Sequence, residues 1–252
     1  MTKTLLMIAG ASFVLCAVCF GVGAAVGGHE FWQHGWAFHN AHIKIDDDGV
    51  NVSDNADEGP VVTRQLVWNG ADALDIQAPG TVQFTQAPGP AKVTVTGPKG
   101  AVDHITFQGS RLQYDDDDFD GGRVNVVMSA PGVRRFTISG DDSLDVAGYD
   151  QADLDVSVSG DGQVTVKGKT KSAKLDIAGD GDVDFSGLTA GSANADISGS
   201  GHASLAPTDA ADLRISGSGE IDLLTRPAQL NTDVTGSGRI VQGTAVTTQK
   251  AS

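Results

Sequence analysis

From Phe136 to Gln242 apolar and polar residues alternate with period two. Six times the alternation is interrupted by a small turn built on Gly-x-Gly or a close relative. The turns begin at Gly140, Gly160, Gly179, Gly199, Gly217 and Gly236, at intervals of 20, 19, 20, 18 and 19 residues. Aligned on that glycine, position −2 reads Ile138, Val158, Ile177, Ile197, Ile215, Val234. Position −4 reads Phe136, Val156, Leu175, Ala195, Leu213, Thr232. Position +4 reads Leu144, Val164, Val183, Ala203, Ile221, Ile240, and position +6 reads Val146, Val166, Phe185, Leu205, Leu223, Gln242. The residues between are mostly Asp, Ser, Thr or Arg. This is the pattern of half-buried strands; a helix would need period 3.6, and its interior would be broken by the glycines.

A fixed period near twenty residues marks a stacked solenoid. Each repeat reads as one coil with at least two short strands. A single coil cannot bury its apolar edge, so coils stack into parallel ladders around one continuous core. The second glycine of each turn is Gly162, Gly181, Gly201, Gly219 or Gly238; the first turn departs, with Asp142 in that place. The predicted class is all-β, a parallel β-helix-like solenoid with coils of about nineteen residues.

The region 61–135 is less regular. Strands are predicted at Gln65–Trp68, Ala73–Gln77, Thr81–Thr85, Lys92–Thr96, His104–Gln108, Arg111–Tyr114 and Val124–Met128. Pro88-Gly89-Pro90 and Gly97-Pro98-Lys99-Gly100 are turn signals, and Gln108-Gly109-Ser110 predicts a hairpin or corner. Solenoids need atypical terminal repeats, so 61–135 reads as first coils plus cap, 136–243 as the regular stack and 244–252 as a polar tail.

Upstream, residues 4–28 carry no charge, long enough for a transmembrane helix. Gly23 and Ala25 would also suit signal cleavage after Ala25; an uncleaved signal anchor over 1–28 is the preferred reading, with Lys3 on the cytoplasmic side. Residues 29–60 form an aromatic and histidine-rich juxtamembrane segment followed by an acidic linker. Trp32 and Trp36 suit a membrane interface. His29, His34, His39 and His42 could ligate Zn or Cu, but their spacing gives no compact i, i+4 pair, and interfacial anchoring is preferred. Gly23 and Gly27 make a G-x-x-x-G, read as chance small residues. Both cysteines, Cys16 and Cys19, fall in the apolar run, so the exported part has no disulfide.

The net charge is −15. Nucleic acid needs a basic footprint and is excluded as a partner. Divalent cations and basic partners are not. Asp161 and Asp180 occupy the middle of Gly-x-Gly in adjacent coils, with Asp141 one coil earlier. Stacking would set them about 4.8 Å apart, unfavourable unless a cation or water intervenes. They are the metal candidates, for weakly held Ca²⁺; ordinary corner turns are the preferred alternative. The columns Asp176 and Asp196, and Asp145, Asp184 and Asp222, are a second acidic set. The run Asp115–Asp118 with Asp120 lacks EF-hand spacing and reads as a solvated loop. Carboxylates are so common that a glycosidase-like pair is cheap to find. His202 and Arg214 fall in neighbouring coils with no nucleophile beside them. Gly-x-Gly here follows strands but opens no helix, so the nucleotide fingerprint fails.

The repeated I-S-G-S-G-x-(I/A)-x-L pattern, behind Gly80-Thr-Val-Gln-Phe and Ala91-Lys-Val-Thr-Val-Thr-Gly, resembles the GIN-domain family over roughly Arg64 to Gly243. These domains are described as adhesin heads and are similar to the toastrack domains of envelope-stress proteins. The resemblance implies a right-handed β-helix-like fold on an envelope protein, with no established catalytic residues; no cofactor is expected apart from weakly held Ca²⁺. The expected function is a membrane-anchored, exported interaction module, whose partner is an envelope protein or surface polysaccharide. A toastrack-like stress-signalling scaffold is the alternative, and a carbohydrate-active enzyme ranks behind both.

Overall fold

The computed structural model describes residues 42–46, 49–53, 60–115 and 122–243. The apolar segment 4–28, His29, His34, His39, the His42 side chain, Asp116–Asp118 with Asp120, and the tail from Thr244 lie outside what is described. Among the described residues no helix is long and apolar enough to cross a membrane. The described residues fall into two units, divided between Ala56 and Asp57. In the first, β1 (His42–Asp46) pairs antiparallel with β2 (Gly49–Ser53). Both segments, His-Ile-Lys-Ile-Asp and Gly-Val-Asn-Val-Ser, alternate apolar and polar residues, which suits a two-stranded ribbon better than the linker expected there.

The second unit is the solenoid. Its strands are β3 (Val61–Leu66), β4 (Ala73–Ile76), β5 (Gly80–Gln86), β6 (Lys92–Pro98), β7 (Ile105–Gln108), β8 (Arg111–Tyr114), β9 (Val124–Ala130) and β10 (Arg135–Ser139). There follow β11 (Ser143–Gly160), β12 (Gln163–Gly179), β13 (Asp182–Asp184), β14 (Leu188–Gly199), β15 (His202–Leu205), β16 (Pro207–Gly217), β17 (Glu220–Leu223), β18 (Gln229–Gly236) and β19 (Arg239–Gln242). The solenoid makes about five turns. Strands are longer than the sequence suggests because β11 and β12 run on through a corner.

Two parallel ladders flank every Gly-x-Gly turn. Before it, Ile138 pairs with Val158, then Ile177, Ile197, Ile215 and Val234 in register. After it, Leu144 pairs with Val164, then Val183, Ala203, Ile221 and Ile240. Apart from the last rung these side chains are buried. Each large aliphatic one contributes roughly 1.5–3 kcal/mol by leaving water. The alternation read from sequence is therefore the inside and outside of the coil.

The irregular lead-in joins the same ladders out of chain order. Ile138 pairs with Ile76 of β4, which pairs with Leu112 of β8; Leu144 pairs with Val82 of β5, which pairs with Val126 of β9. The rung of β4 and β5 thus lies between β10/β11 and β8/β9, although β9 precedes β10 directly in the chain. Antiparallel strands finish this end: β6 lies on β9, β3 on β6, and β7 on β8. The turn between β7 and β8 falls at Gly109 and Ser110, where the corner was expected. Lys99 and Gly100, expected in a turn, instead open a short helix, α1 (Lys99–His104). Pro98 fixes the entering backbone, and α1 buries Ala101 and Val102 against the core.

The corner glycines are required by the distance between coils. Gly199 has φ +133°, and a Cβ there would lie 2.4 Å from the Gly179 carbonyl oxygen. At Gly201 a Cβ would meet Ile177 Cγ2 at 2.7 Å and the Gly181 oxygen at 2.9 Å. The first glycine clears the backbone of the coil beneath, and the second clears its branched apolar side chain. In return the corner joins the ladder. Ser200 N–H donates to Gly179 O at 3.1 Å and His202 N–H to Gly181 O at 2.9 Å; Ser218 and Glu220 repeat both bonds to Gly199 and Gly201.

Asp142 breaks the motif because the corner beneath it differs. The register sets it over Gly80 of an Ala78-Pro79-Gly80 turn. Its Oδ1 accepts the Gly80 N–H at 2.9 Å, and the residue is only 3% exposed. Burial, reinforced by Asp141 and opposed by the Gly80 hydrogen bond and Arg123, raises its pKa to about 6. The native chain therefore holds this proton more tightly than the unfolded chain does.

Two stability outcomes follow. Gly199→Ala should cost about 3 kcal/mol or more in urea unfolding, because backbone opposes the new methyl, whereas Ser200→Ala should stay within about 0.5 kcal/mol. Asp142→Asn keeps an acceptor for Gly80 without the buried charge. The wild type should lose stability relative to it as pH rises from about 4 to about 6, reaching a deficit on the order of 2 kcal/mol at neutral pH and little below pH 4, as thermal melts across pH would read.

Candidate functional site

With the apolar columns inside, the coil's outer faces are columns of Asp, Ser, Thr, Lys and Arg. On the face before the corner, Asp176 and Asp196 stack directly and are followed by Arg214. Neighbouring columns compensate them. Lys174 pairs with Asp176, Arg214 with Asp212 at 3.0 Å, Arg135 with Asp155 at 3.4 Å, and Arg111 with Asp75 at 2.8 Å. These exposed pairs add little to stability, but they set the pattern of donors and acceptors on the face.

On the face after the corner, Asp145, Asp184 and Asp222 are not consecutive. The register runs Asp145, Thr165, Asp184, Ser204, Asp222, so a hydroxyl separates each pair of carboxylates. The adjacent column runs Gln163, Asp182, His202, Glu220, Arg239. His202 is the centre of this strip. Its Nδ1 lies 3.4 Å from Asp182 and its Nε2 3.2 Å from Asp222. Partial burial of the ring disfavours its cation, but the two carboxylates outweigh it and raise the pKa. Arg239 closes the strip with a two-pronged pair to Glu220 at 2.7 and 2.6 Å.

The sequence isolates His202 beside Arg214, whereas the coils bring it to two aspartates. The signal was available, since Asp182, His202 and Asp222 are spaced by twenty residues each way, one coil apart.

Asp141, Asp161 and Asp180 do share the corner edge. Asp161 N–H donates to Gly140 O at 3.0 Å and Asp180 N–H to Gly160 O at 3.1 Å, which places their side chains on successive coils. Asp141 is engaged by Arg123 at 2.9 Å. Further along, Ser200, Ser218 and Ser237 take the same place. Among the described residues no group of three or more His, Cys, Asp or Glu is arranged to hold a metal ion.

Sequence reasoning missed a shallow, open groove of about 410 Å³ on the third side of the coil, lined by Asp150, Gln151, Ala152, Lys169, Thr170 and Lys171. Lys169 meets Asp150 across it at 3.1 Å, and the Thr170 hydroxyl lies 3.0 Å from the Ala152 carbonyl. The lysines Lys167, Lys169 and Lys171 were visible in the chain, but which side of a coil they reach was not.

The histidine strip has a pH signature. A raised His pKa gives stability that is present below the unfolded value near 6.5 and fades as pH rises through the folded pKa. His202→Gln should therefore lower the melting temperature at pH 5 and leave it nearly unchanged at pH 8.5. A constant deficit across that range would assign His202 a packing role instead.

The family model described as "Putative auto-transporter adhesin, head GIN domain" matches residues 67–227. No curated protein matches. Among solved structures, one described as a putative adhesin from Bacteroides fragilis is 18% identical, covering 73% of this chain and 97% of its own, with a TM-score of 0.59. A putative adhesin from Parabacteroides distasonis is 14% identical, over 74% of this chain and 98% of its own, with a TM-score of 0.47. A putative lipid binding protein from the same organism is 17% identical over the same shares, with a TM-score of 0.46. The first of these shares the solenoid fold. The chain belongs to the head GIN-domain family.

Proposed function

We propose that this protein is a non-catalytic binding head, held at the cell envelope by its N-terminal apolar segment, which engages a repetitive surface polysaccharide through the outer faces of its coils. The observation that carries the reading is the in-register polar strip after the corner. Asp182, His202 and Glu220 stand beside Asp184, Ser204 and Asp222 on one flat sheet face. Membership of a family described as adhesin heads supports it.

One hydrogen bond to an exposed hydroxyl contributes only about 0.5–1.5 kcal/mol net, so a single coil would hold almost nothing. Coils recur about every 4.8 Å, so a linear partner with repeating hydroxyls can make the same weak contact again on each rung. Carboxylates and a histidine accept from and donate to sugar hydroxyls without needing a deep pocket. Cations at the corner aspartates Asp141, Asp161 and Asp180 would add to such binding and are not required by it.

The test is binding of the purified full-length chain to immobilised envelope polysaccharides, with Ca²⁺ and with chelator. The expected outcome is saturable binding that weakens about tenfold when Asp184, His202 and Asp222 are changed together to alanine. Binding unaffected by that change would reject the strip. Turnover of the glycan would reject the non-catalytic reading. Recovery of a stoichiometric membrane protein in place of glycan would favour the scaffold alternative. The N-terminal peptide from the same preparation reports whether residues 1–28 are retained, as membrane anchoring requires.

A further inference from the structure

We propose that the C-terminal end of the solenoid is a self-association surface, where two copies of this chain join β18 to β18 across a two-fold axis. The two ends of the stack are built differently. At the β8/β9 end the ladders are finished by antiparallel β6, β3 and β7 and by α1, with Arg64 donating to the α1 carbonyls of Val102 and Asp103. At the other end, among the described residues, β18 pairs in register only with β16 and β19 only with β17, which leaves the outer edges of both without a strand. β18 is exposed along its whole length, and Leu230 and Val234 remain 39% and 41% exposed at positions whose counterparts Ala211 and Ile215 are buried one coil below.

An open strand edge is ordinarily protected by lysine, proline or a bulge. β18 has none of these, and Asp233 is its only charge. Head-to-tail stacking would need a matching pair of open parallel edges at the other end, and the antiparallel strands there do not offer it. A two-fold contact between like ends needs only one surface and closes on itself.

The sequence of β18 is self-complementary in that arrangement. Leu230, Thr232 and Val234 face the core side, by register with Ala211, Leu213 and Ile215. An axis through Thr232 sets Leu230 against the partner subunit's Val234 and Gln229 against the partner subunit's Thr235. On the outer face it sets Asn231 against the partner subunit's Asp233. The one charge on the strand thus meets an amide donor and no second carboxylate, and apolar residues meet apolar ones. Thr232 and Gln242 stand where the columns below have Leu213 and Leu223, so this end is less apolar than an internal rung, which suits a reversible contact over an obligate one.

The experiment is sedimentation of the full-length chain in mild detergent over a wide concentration range, beside disulfide trapping of Thr232→Cys with Cys16 and Cys19 changed to serine. The expected result is a dimer that dissociates on dilution, with Thr232→Cys giving a covalent dimer on mild oxidation. Leu230→Lys with Val234→Lys, both at exposed positions, should abolish the dimer while leaving the melting temperature near wild type. A chain that is monomeric at every concentration and forms no disulfide would overturn the proposal; if the β18 amides were then protected from hydrogen exchange, residues 244–252 would be the occupant instead. Oligomers that keep lengthening with concentration would also overturn it, in favour of head-to-tail stacking. A dimer that survives the double lysine change would place the contact elsewhere.

Discussion

The closeness of successive coils at the corner is the constraint on which the rest of the solenoid depends. Flat strands can stack at ordinary ladder spacing with any side chain pointing in or out. The corner cannot, because the turning backbone lies directly on the backbone of the coil beneath. Without a Cβ at either glycine, the carbonyl oxygens of one corner accept the amides of the next. The turn is thereby a continuation of the sheet. Both glycines of the motif are fixed by what lies under them, a carbonyl in one case and a branched aliphatic side chain in the other. The residue between them meets neither and is free to vary among Asp and Ser, and so is available for contact with a partner.

That constraint also explains where the pattern relaxes. Over the Ala78-Pro79-Gly80 corner the second glycine is replaced by Asp142, whose carboxylate supplies an acceptor to Gly80. A buried carboxylate is a costly substitute at neutral pH, and it occurs where the regular stack meets the irregular lead-in. Stability in such an assembly is approximately a sum over neighbouring coils, so the ends are its weakest parts. One end has antiparallel strands and a helix over it, while at the other the last described rung is half-exposed.

Much of the regular stack was legible in the chain because each coil repeats the same solution. The columns headed by Ile138 and Leu144 are the ladders of the structure, and the core follows from them. The lead-in was harder for a topological reason. β9 and β10 are adjacent in sequence, yet β4 and β5 lie between their rungs, and no periodicity records that insertion. Helix α1 was hidden by Gly97, Pro98 and Gly100, which read as a turn, because burial of Ala101 and Val102 decides its conformation. For the polar faces the sequence identified acidic columns but not their neighbours. It showed Asp145, Asp184 and Asp222 as a row, whereas the register places Thr165 and Ser204 between them. It left His202 alone although its partners are one coil away on either side.

If the corners belong to the hydrogen-bonded ladder, amide hydrogen exchange resolved by residue will read it at each turn. The amides of Asp180, Ser200, His202, Ser218 and Glu220 should exchange as slowly as those of Ile177 and Ile197 in the adjoining strands. Exchange of those corner amides at the rate of open turns, with the strands still protected, would contradict it and reduce the glycines to ordinary loop residues.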